Sequence, residues 1–551
     1  MRASTAPIGS VCTRLAAFGV IATLALLALP VRGHAEDWPQ WGHVPDRNMA
    51  ADQQGLPASF DLGRVGDNGG WLAKPVNVLW SARLGTQTYG SPVIAGGRIY
   101  IGTNNGAPRN PGRDGDRLVL MCFDENDGGF RWQLAAPRRR HSGQYNGHYP
   151  GLGICASPAV EGDRAYVVTS RGDVVCMTTS GLGKVKKPLL SSEAQYLAEP
   201  NSETISETSS GPRISLQPGR PVDLDSTDAN IVWVYDMMRE VGTWPHDASS
   251  ASVLLQGDYL YVATGNAQAS SHHHIPSPDA PSLIALDKRT GKLVAKDQAH
   301  IGPYVYHGQW SSPSAGVVGG RPLVFYGGGD GWCYAFDARP EPGVGGKPGL
   351  LKTIWRFDAC PPEYRTRNGH ALPYDRSGEG PCEIIGTPVF YKDRVYVAIG
   401  QDPRHGPGKG CLTCIDATKT GDISATAALW RYESIGRSLS TVAIADGLVY
   451  AADTSGTLYC VDAETGKGVW YQDLGSNVWG SPLAADGKVY IGTEKGDLWV
   501  MKAGRDKQVL ATVPMHGAVY TTPVAANGVL YVASHKWLYA IKAPPQRAAT
   551  P

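Results

Sequence analysis

The chain has 551 residues, of which 42% are hydrophobic and 18% charged, with a formal net charge of +1. That is an ordinary globular balance with ample material for a core, and it argues against a nucleic-acid binder, which needs a concentrated basic surface. The 68 glycines, 40 prolines, 25 tyrosines and 15 tryptophans favour a turn-rich all-β protein over a helical one.

In chain order, residues 1–35 read as a secretory signal. Arg2 and Arg14 precede an apolar run from Leu15 to Leu29, and Gly33-His34-Ala35 supplies small residues around a cleavage point after Ala35. Cutting there removes three arginines and no acid, which takes the formal charge from +1 to −2. Cys12 precedes the apolar run, so it is not placed for lipidation, and nothing later is apolar enough to span a bilayer. The expected product is periplasmic or secreted and has no transmembrane anchor. Residues 36–76 form an N-terminal extension and 544–551 a C-terminal tail. Arg138-Arg139-Arg140 reads as a solvated loop.

Between these ends a repeat decides the architecture. A Pro or Val that opens a strand is followed eight residues later by a tyrosine, seven times: Pro92 and Tyr100, Pro158 and Tyr166, Val253 and Tyr261, Pro388 and Tyr396, Val442 and Tyr450, Pro482 and Tyr490, Pro523 and Tyr531. An eighth copy, from Pro313 through Phe325, has a longer turn and loses the tyrosine. The tightest copies start 41 residues apart, close to the period of a four-stranded propeller blade. In one copy, Asp486-Gly487 and Lys495-Gly496 mark the turns between apolar runs. Residues 181–230, rich in Ser, Pro and Thr, form an insertion in blade two that is expected to be partly disordered or to cover the funnel. The last strand of most blades carries a tryptophan: Trp132, Trp233, Trp355, Trp430 and Trp470. Trp80 has the same local pattern with no preceding strands, and the C-terminal copy has three strands and no fourth. The prediction is therefore one all-β, eight-bladed β-propeller over residues 77–543, closed by residues 77–83 completing the C-terminal blade.

The stretch Cys460 to Trp470, with Asp462, Thr465, Gly466 and Lys467, resembles the tryptophan-docking motif of PQQ-repeat propellers. Weaker copies run from Ala285 to Ala295, Asp124 to Trp132 and Asp416 to Trp430. Trp38-Pro39-Gln40-Trp41 is also similar to the mature starts of exported bacterial proteins of this class. The resemblance implies either of two relatives. Quinoprotein alcohol dehydrogenases hold pyrroloquinoline quinone (PQQ) and calcium at the propeller axis. The outer-membrane assembly factor propeller lacks the cofactor and binds proteins. The chain has no adjacent cysteine pair of the first kind, and Cys411-Leu412-Thr413-Cys414 is followed by Ile415, so haem c attachment is not supported.

Cys122, Cys414 and Cys460 stand where Ala285 and Ala335 stand in other blades, and Cys176 takes the equivalent place, so they read as small core residues. Cys411 and Cys414 should point to opposite faces of a strand, which argues against a zinc clip. Cys360 and Cys382 share a long inter-blade loop and are open to pairing as a disulfide.

Loops that leave a blade's outer strand share a face with the loops between second and third strands, and these are the elaborated ones. They place His246 with Asp247, His307 with Gln309 and Trp310, Glu383, Arg437, Trp479 and His516 around one mouth, together with His148, Trp244, Asn266, Asp330, Asp402 and His405. His246, His307 and His516 lie at nearly the same offset before their inner strands and so can converge. Trp310 and Trp479 offer stacking surfaces, and Asp247 and Glu383 are candidate cation ligands. His272-His273-His274 reads as an exposed tip. Three functions remain open: a scaffold for a protein or small ligand, a PQQ- and calcium-dependent alcohol or sugar dehydrogenase, or a metal or small-ligand receptor built on the histidines.

Overall fold

The computed structural model describes residues 36–65, 71–139, 149–185 and 187–543. They form eight four-stranded antiparallel blades, with residues 93–137, 159–236, 254–297, 314–358, 389–432, 443–473 and 483–514 making blades 1 to 7. Blade 8 is Val524–Ala526, Val529–Ala533 and Trp537–Ile541, completed by Val78–Arg83, which pairs antiparallel with Trp537–Ile541. The ring is thus closed by a strand from the front of the chain, which leaves no inner or outer ladder unfinished. No helix among the described residues is long and apolar enough to cross a membrane.

The repeated residues have physical reasons. Inner hairpins turn through two consecutive left-handed residues, such as Asp486 (φ 50) and Gly487 (φ 65) or Asn527 (φ 54) and Gly528 (φ 71), as tight hairpins between right-twisted strands require. Five of the seven repeated tyrosines lie against the tryptophan of their own blade; ring centroids are 6.0 Å apart for Tyr100 and Trp132, 5.8 Å for Tyr396 and Trp430, and 6.0 Å for Tyr450 and Trp470. In the irregular copy Phe325 takes the tyrosine's place beside Trp355, at 5.8 Å. The indole N–H then crosses to the next blade, from Trp430 to the Ala463 carbonyl (3.1 Å) and from Trp470 to that of Gly504 (2.9 Å). Gly466 (φ 69) packs there against Trp430, and a Cβ would sit 2.6 Å from the ring.

The cysteines follow from the same packing. Cys122, Cys176, Cys414 and Cys460 pair across the ladder with Trp132, Trp233, Trp430 and Trp470, as Ala335 pairs with Trp355. A bulge follows each of them, so a small residue is needed where the indole leans over the strand. Cys411 and Cys414 lie in different core clusters. Cys360 and Cys382 are buried free thiols in contact, with Cys360 Sγ donating to the Cys382 carbonyl at 2.9 Å, so the structure contains no bridge between them.

The extension that precedes the ring is a strap touching all eight blades in order. Trp38 exchanges backbone hydrogen bonds with Ile94, and Pro39 accepts from Val160. Arg47, fully buried, donates to the carbonyls of Val253 (2.8 Å) and Pro313 (3.0 Å) and of Trp41 within the strap. Asp46 accepts from Phe390, and the Asn48 amide exchanges two bonds with Ile444. Ala50–Ala51 adds in parallel to Leu483–Ala485, and Gln53 accepts from Gly528. The strap closes the end of the axial channel on which the inner hairpins turn.

Two polar segments are built into the structure. In the insertion Glu193–Tyr196 is a short helix, and Ser202–Thr208 pairs with Gly211–Gln217 in a hairpin. Arg139 belongs to no solvated loop. It is 1% exposed and holds Glu203 of that hairpin (2.7 Å) and Asp236 of blade 2 (2.7 Å), which pins the insertion to the ring. A charge run looks like surface in sequence, whereas three carboxylates supplied from elsewhere make burial of this guanidinium affordable.

Candidate functional site

The axial channel is built from one position per blade. Each inner strand is entered through a hydroxyl residue: Ser91, Ser157, Ser252, Ser312, Thr387, Thr441, Ser481 and Thr522. The amide of one donates to the hydroxyl oxygen of the next around the ring. The distances are 3.0 Å from Ser91 to Ser157, 2.9 Å from Ser157 to Ser252 and from Ser252 to Ser312, and 2.9 Å from Thr387 to Thr441 and from Thr441 to Ser481. Ser481 to Thr522 (2.8 Å) and Thr522 to Ser91 (2.9 Å) continue it, and the eighth acceptor, Thr387 Oγ1, takes the indole N–H of Trp41 from the strap at 3.0 Å. This belt satisfies amides that no strand neighbour reaches at the crowded axis. Its signal, a Ser or Thr immediately before each repeated Pro or Val, stands in the sequence but had not been assigned a role there.

Above the belt lies a cavity of about 130 Å³, floored by Trp41 and walled by Tyr89, Cys155, Trp310, Trp479 and Tyr520. Both predicted tryptophans therefore face the axis. Trp479 and Tyr520 lie 4.9 Å apart, and Tyr520 is 4.4 Å from His535. Glu494 accepts from the Tyr520 hydroxyl (2.8 Å) and from Asn477 (2.9 Å), which fixes this aromatic wall.

The histidines gather at the mouth beside Trp310. His246 and Asp247 come from the loop between blades 2 and 3, His307 from that between blades 3 and 4, His272 from a loop within blade 3 and Asp402 from one within blade 5. The His307 ring is 4.6 Å from those of both His246 and His272, and 5.3 Å from Trp310. The ligating atoms of His246, His272 and His307 lie within 4.8 Å of one another, and so do those of Asp247, His307 and Asp402. His307 is 2% exposed, neither ring nitrogen makes a hydrogen bond, and Nδ1 faces Asp402 Oδ2 at 3.1 Å. Burial among other imidazoles pushes His307 down to about 2 and His246 to about 4, while burial beside Asp402 raises Asp247 to about 7. His272 thus joins the cluster although its loop is exposed. His516, left-handed (φ 52) and exposed in the loop between blades 7 and 8, does not. Equal offsets bring residues to the same height on the ring, but only neighbouring blades bring them into contact.

The remaining predicted residues are committed elsewhere. Gln309 donates to the Asn266 carbonyl (2.6 Å) and accepts from Tyr326 (3.0 Å). Arg437 is buried against the carbonyls of His405, Gly406, Asp375 and Glu379. Glu383 is fully buried, accepts from the Tyr374 hydroxyl at 2.6 Å and from the Gly308 amide, and is raised to about 8 by desolvation. Tyr374, which also accepts from the Asp402 amide (2.9 Å), is the link from Glu383 to the cluster that sequence reading missed. His148 lies outside the described residues.

At the rim between blades 3 and 4 a groove of about 480 Å³ is lined by Tyr304, Tyr306, Trp332, Arg356 and Arg365. Arg356 stacks 4.8 Å over Trp332, Arg365 donates to the Tyr306 hydroxyl (2.6 Å), and Tyr304 is 65% exposed.

With this geometry in place, the family model described as outer membrane protein assembly factor BamB matches residues 70–177, 115–340 and 408–510. The protein of that name from Burkholderia pseudomallei is 29% identical over 123 residues, 20% of this chain and 31% of its own length. The one from Yersinia pestis is 30% identical over 95 residues, 15% of this chain and 24% of its own. The chain thus spans about a third or less of the curated relatives it matches. Among solved structures, BamB from Moraxella catarrhalis shares 13% identity at a TM-score of 0.47, covering 84% of this chain and 98% of that one. Quinohemoprotein alcohol dehydrogenase from Comamonas testosteroni shares 15% at 0.45, covering 94% and 81%.

The axial cavity does not fit PQQ with calcium. Its volume is about 130 Å³, against roughly 300 Å³ or more for ordinary cofactor pockets. Its lining residues include neither a cation for the quinone's three carboxylates nor a carboxylate for calcium.

Proposed function

The chain belongs to the family described as outer membrane protein assembly factor BamB, and from that membership we propose that it is an exported scaffold that binds another protein of the cell envelope through its loop-bearing face. The observation that carries this reading is the rim groove between blades 3 and 4. Tyrosine, tryptophan and arginine are the side chains that dominate binding energy at protein interfaces, and here they are partly exposed together around one cleft. Arg356 and Arg365 are held in place by ring contacts, so little side-chain freedom is left to lose on association. The strap end has a cleft of about 950 Å³ beside blades 7 and 8, lined by Gln54, Leu56, Asp486, Lys488 and Lys542, and no tyrosine, tryptophan or arginine lines it.

A photo-crosslinking amino acid placed at Tyr304 or Trp332, with Gln54 on the strap as control, tests this in cells. Both rim positions should capture the same envelope protein and Gln54 should not. Equal capture from Gln54, or none from the rim, would sink the reading. So would saturable, calcium-dependent binding of PQQ by the purified mature protein with reduction of a dye.

A further inference from the structure

From the three loops that meet at the axial mouth, we infer that His246, His272 and His307, with Asp402 against His307, form a binding site for one divalent transition-metal ion of the zinc class. The inference goes beyond the scaffold reading and stands whether or not a partner binds the rim.

His307 is the central observation. It is a buried imidazole whose Nε2 has no polar partner and whose Nδ1 meets only Asp402 Oδ2, at 3.1 Å, so the ring lacks a bond that a buried polar group normally finds. A ligand that accepts a nitrogen lone pair removes that deficit. The ring also belongs to both ligand groups at the mouth, His246 with His272 on one side and Asp247 with Asp402 on the other.

The neighbouring groups are oriented for coordination. The Nδ1 of His246 lies 3.1 Å from the Gln268 carbonyl. A carbonyl only accepts, so this nitrogen carries the proton and Nε2 keeps its lone pair, the usual outer support of a metal-bound histidine. Asp402 is held by its own turn, accepting from the Arg404 amide at 2.7 Å, while its amide donates to Tyr374.

Donor chemistry selects the ion. Imidazole nitrogens with a carboxylate suit zinc, copper(II) or nickel(II) and not calcium, which takes oxygen ligands. Tetrahedral zinc with bonds of about 2.0 Å needs donors roughly 3.3 Å apart. The present spacing of up to 4.8 Å therefore closes by an ångström or so. His272 is the ligand free to supply that motion, since its loop is exposed whereas His246 and His307 are fixed in the interior.

The test uses the untagged mature protein after chelator treatment. Zinc is titrated by calorimetry and cobalt(II) by visible absorption, where tetrahedral coordination gives intense bands. The expected result is one equivalent bound with Kd of about 1 μM or tighter. His307→Gln and His246→Gln should weaken binding about 100-fold and abolish the tetrahedral bands, and His272→Ala should weaken it about 10-fold. His516→Ala should change nothing. A thermal shift with zinc, present in the parent and lost in His307→Gln, separates loss of the site from loss of the fold. No saturable binding below 100 μM, or the same titration in the parent and in both glutamine variants, overturns the proposal.

Discussion

The two ends of the axial channel are built by opposite rules. At the strap end, polar groups are matched one to one. Arg47 serves three carbonyls, at blades 3 and 4 and within the strap, Asn48 an amide and a carbonyl of blade 6, and Gln53 an amide of blade 8. At the loop-bearing end the interior holds groups that are less fully matched: His307 Nε2 has no partner, and Asp247 and Glu383, the latter despite its two donors, are raised toward neutral pH by desolvation. The first end is organised for stability. The second forgoes stability for groups whose partner must come from outside, which is what a binding site looks like before its ligand arrives.

The sharpest way to break that comparison is Arg47→Leu. It leaves three carbonyls of the strap and inner strands without their donor and buried, and the expected loss is about 4 kcal/mol. Chemical denaturation followed by tryptophan fluorescence reads it. Zinc affinity, measured at a temperature where the variant is folded, should be unchanged because the mouth is built by other loops. A loss below about 1 kcal/mol would mean that the strap is ornamental.

How much of this was visible in the sequence depends on what kind of contact each part uses. The ring was legible because its period repeats: Tyr450 and Trp470 meet within one blade, and Trp470 reaches the next through a motif that the chain spells almost in full. The strap was not, since several of its contacts run through backbone atoms that any residue carries, and the side-chain bonds of Trp41, Arg47, Asn48 and Gln53 follow no repeat. At the mouth, offset counting found His246 and His307 but added His516, because it measures height on the ring and not which blade is adjacent. It passed over His272 because an exposed His-His-His run looks like a tip. Arg139 misled for a related reason: its three carboxylates come from residues 34 to 97 positions away.

A smaller effect separates the insertion from both ends. Glu193 is fully buried, accepts from the Ile231 amide at 3.0 Å, and is raised from its ordinary 4.5 to about 7 by desolvation. The folded state therefore holds its proton more tightly than the unfolded chain. The stabilisation is complete below pH 4.5 and is lost as pH rises through about 7. Glu193→Gln should remove that component, so that the parent loses about 2 kcal/mol more than the variant between pH 4.5 and 8. Denaturant midpoints across that range check it, and parallel curves for the two proteins would contradict it. Next in size is Thr441→Val in the hydroxyl belt. It orphans the buried Thr387 amide and should cost about 1.5 kcal/mol with no change in zinc affinity.

The last and smallest prediction has the opposite sign. His307→Leu exchanges a buried imidazole for an apolar side chain of similar bulk, next to Trp310 and Tyr374. At the strap end every such exchange should destabilise. Here the ring loses only the 3.1 Å approach of Nδ1 to Asp402 and has a desolvation cost to recover, so the metal-free protein should gain about 1 kcal/mol. Thermal denaturation in the presence of a chelator reads the gain, and the same scan with zinc should favour the parent instead. If His307→Leu destabilises the metal-free protein by as much as Thr441→Val does, then His307 is held by contacts as complete as those of the belt. The contrast between the two ends of the channel would then fail at the residue on which it depends most.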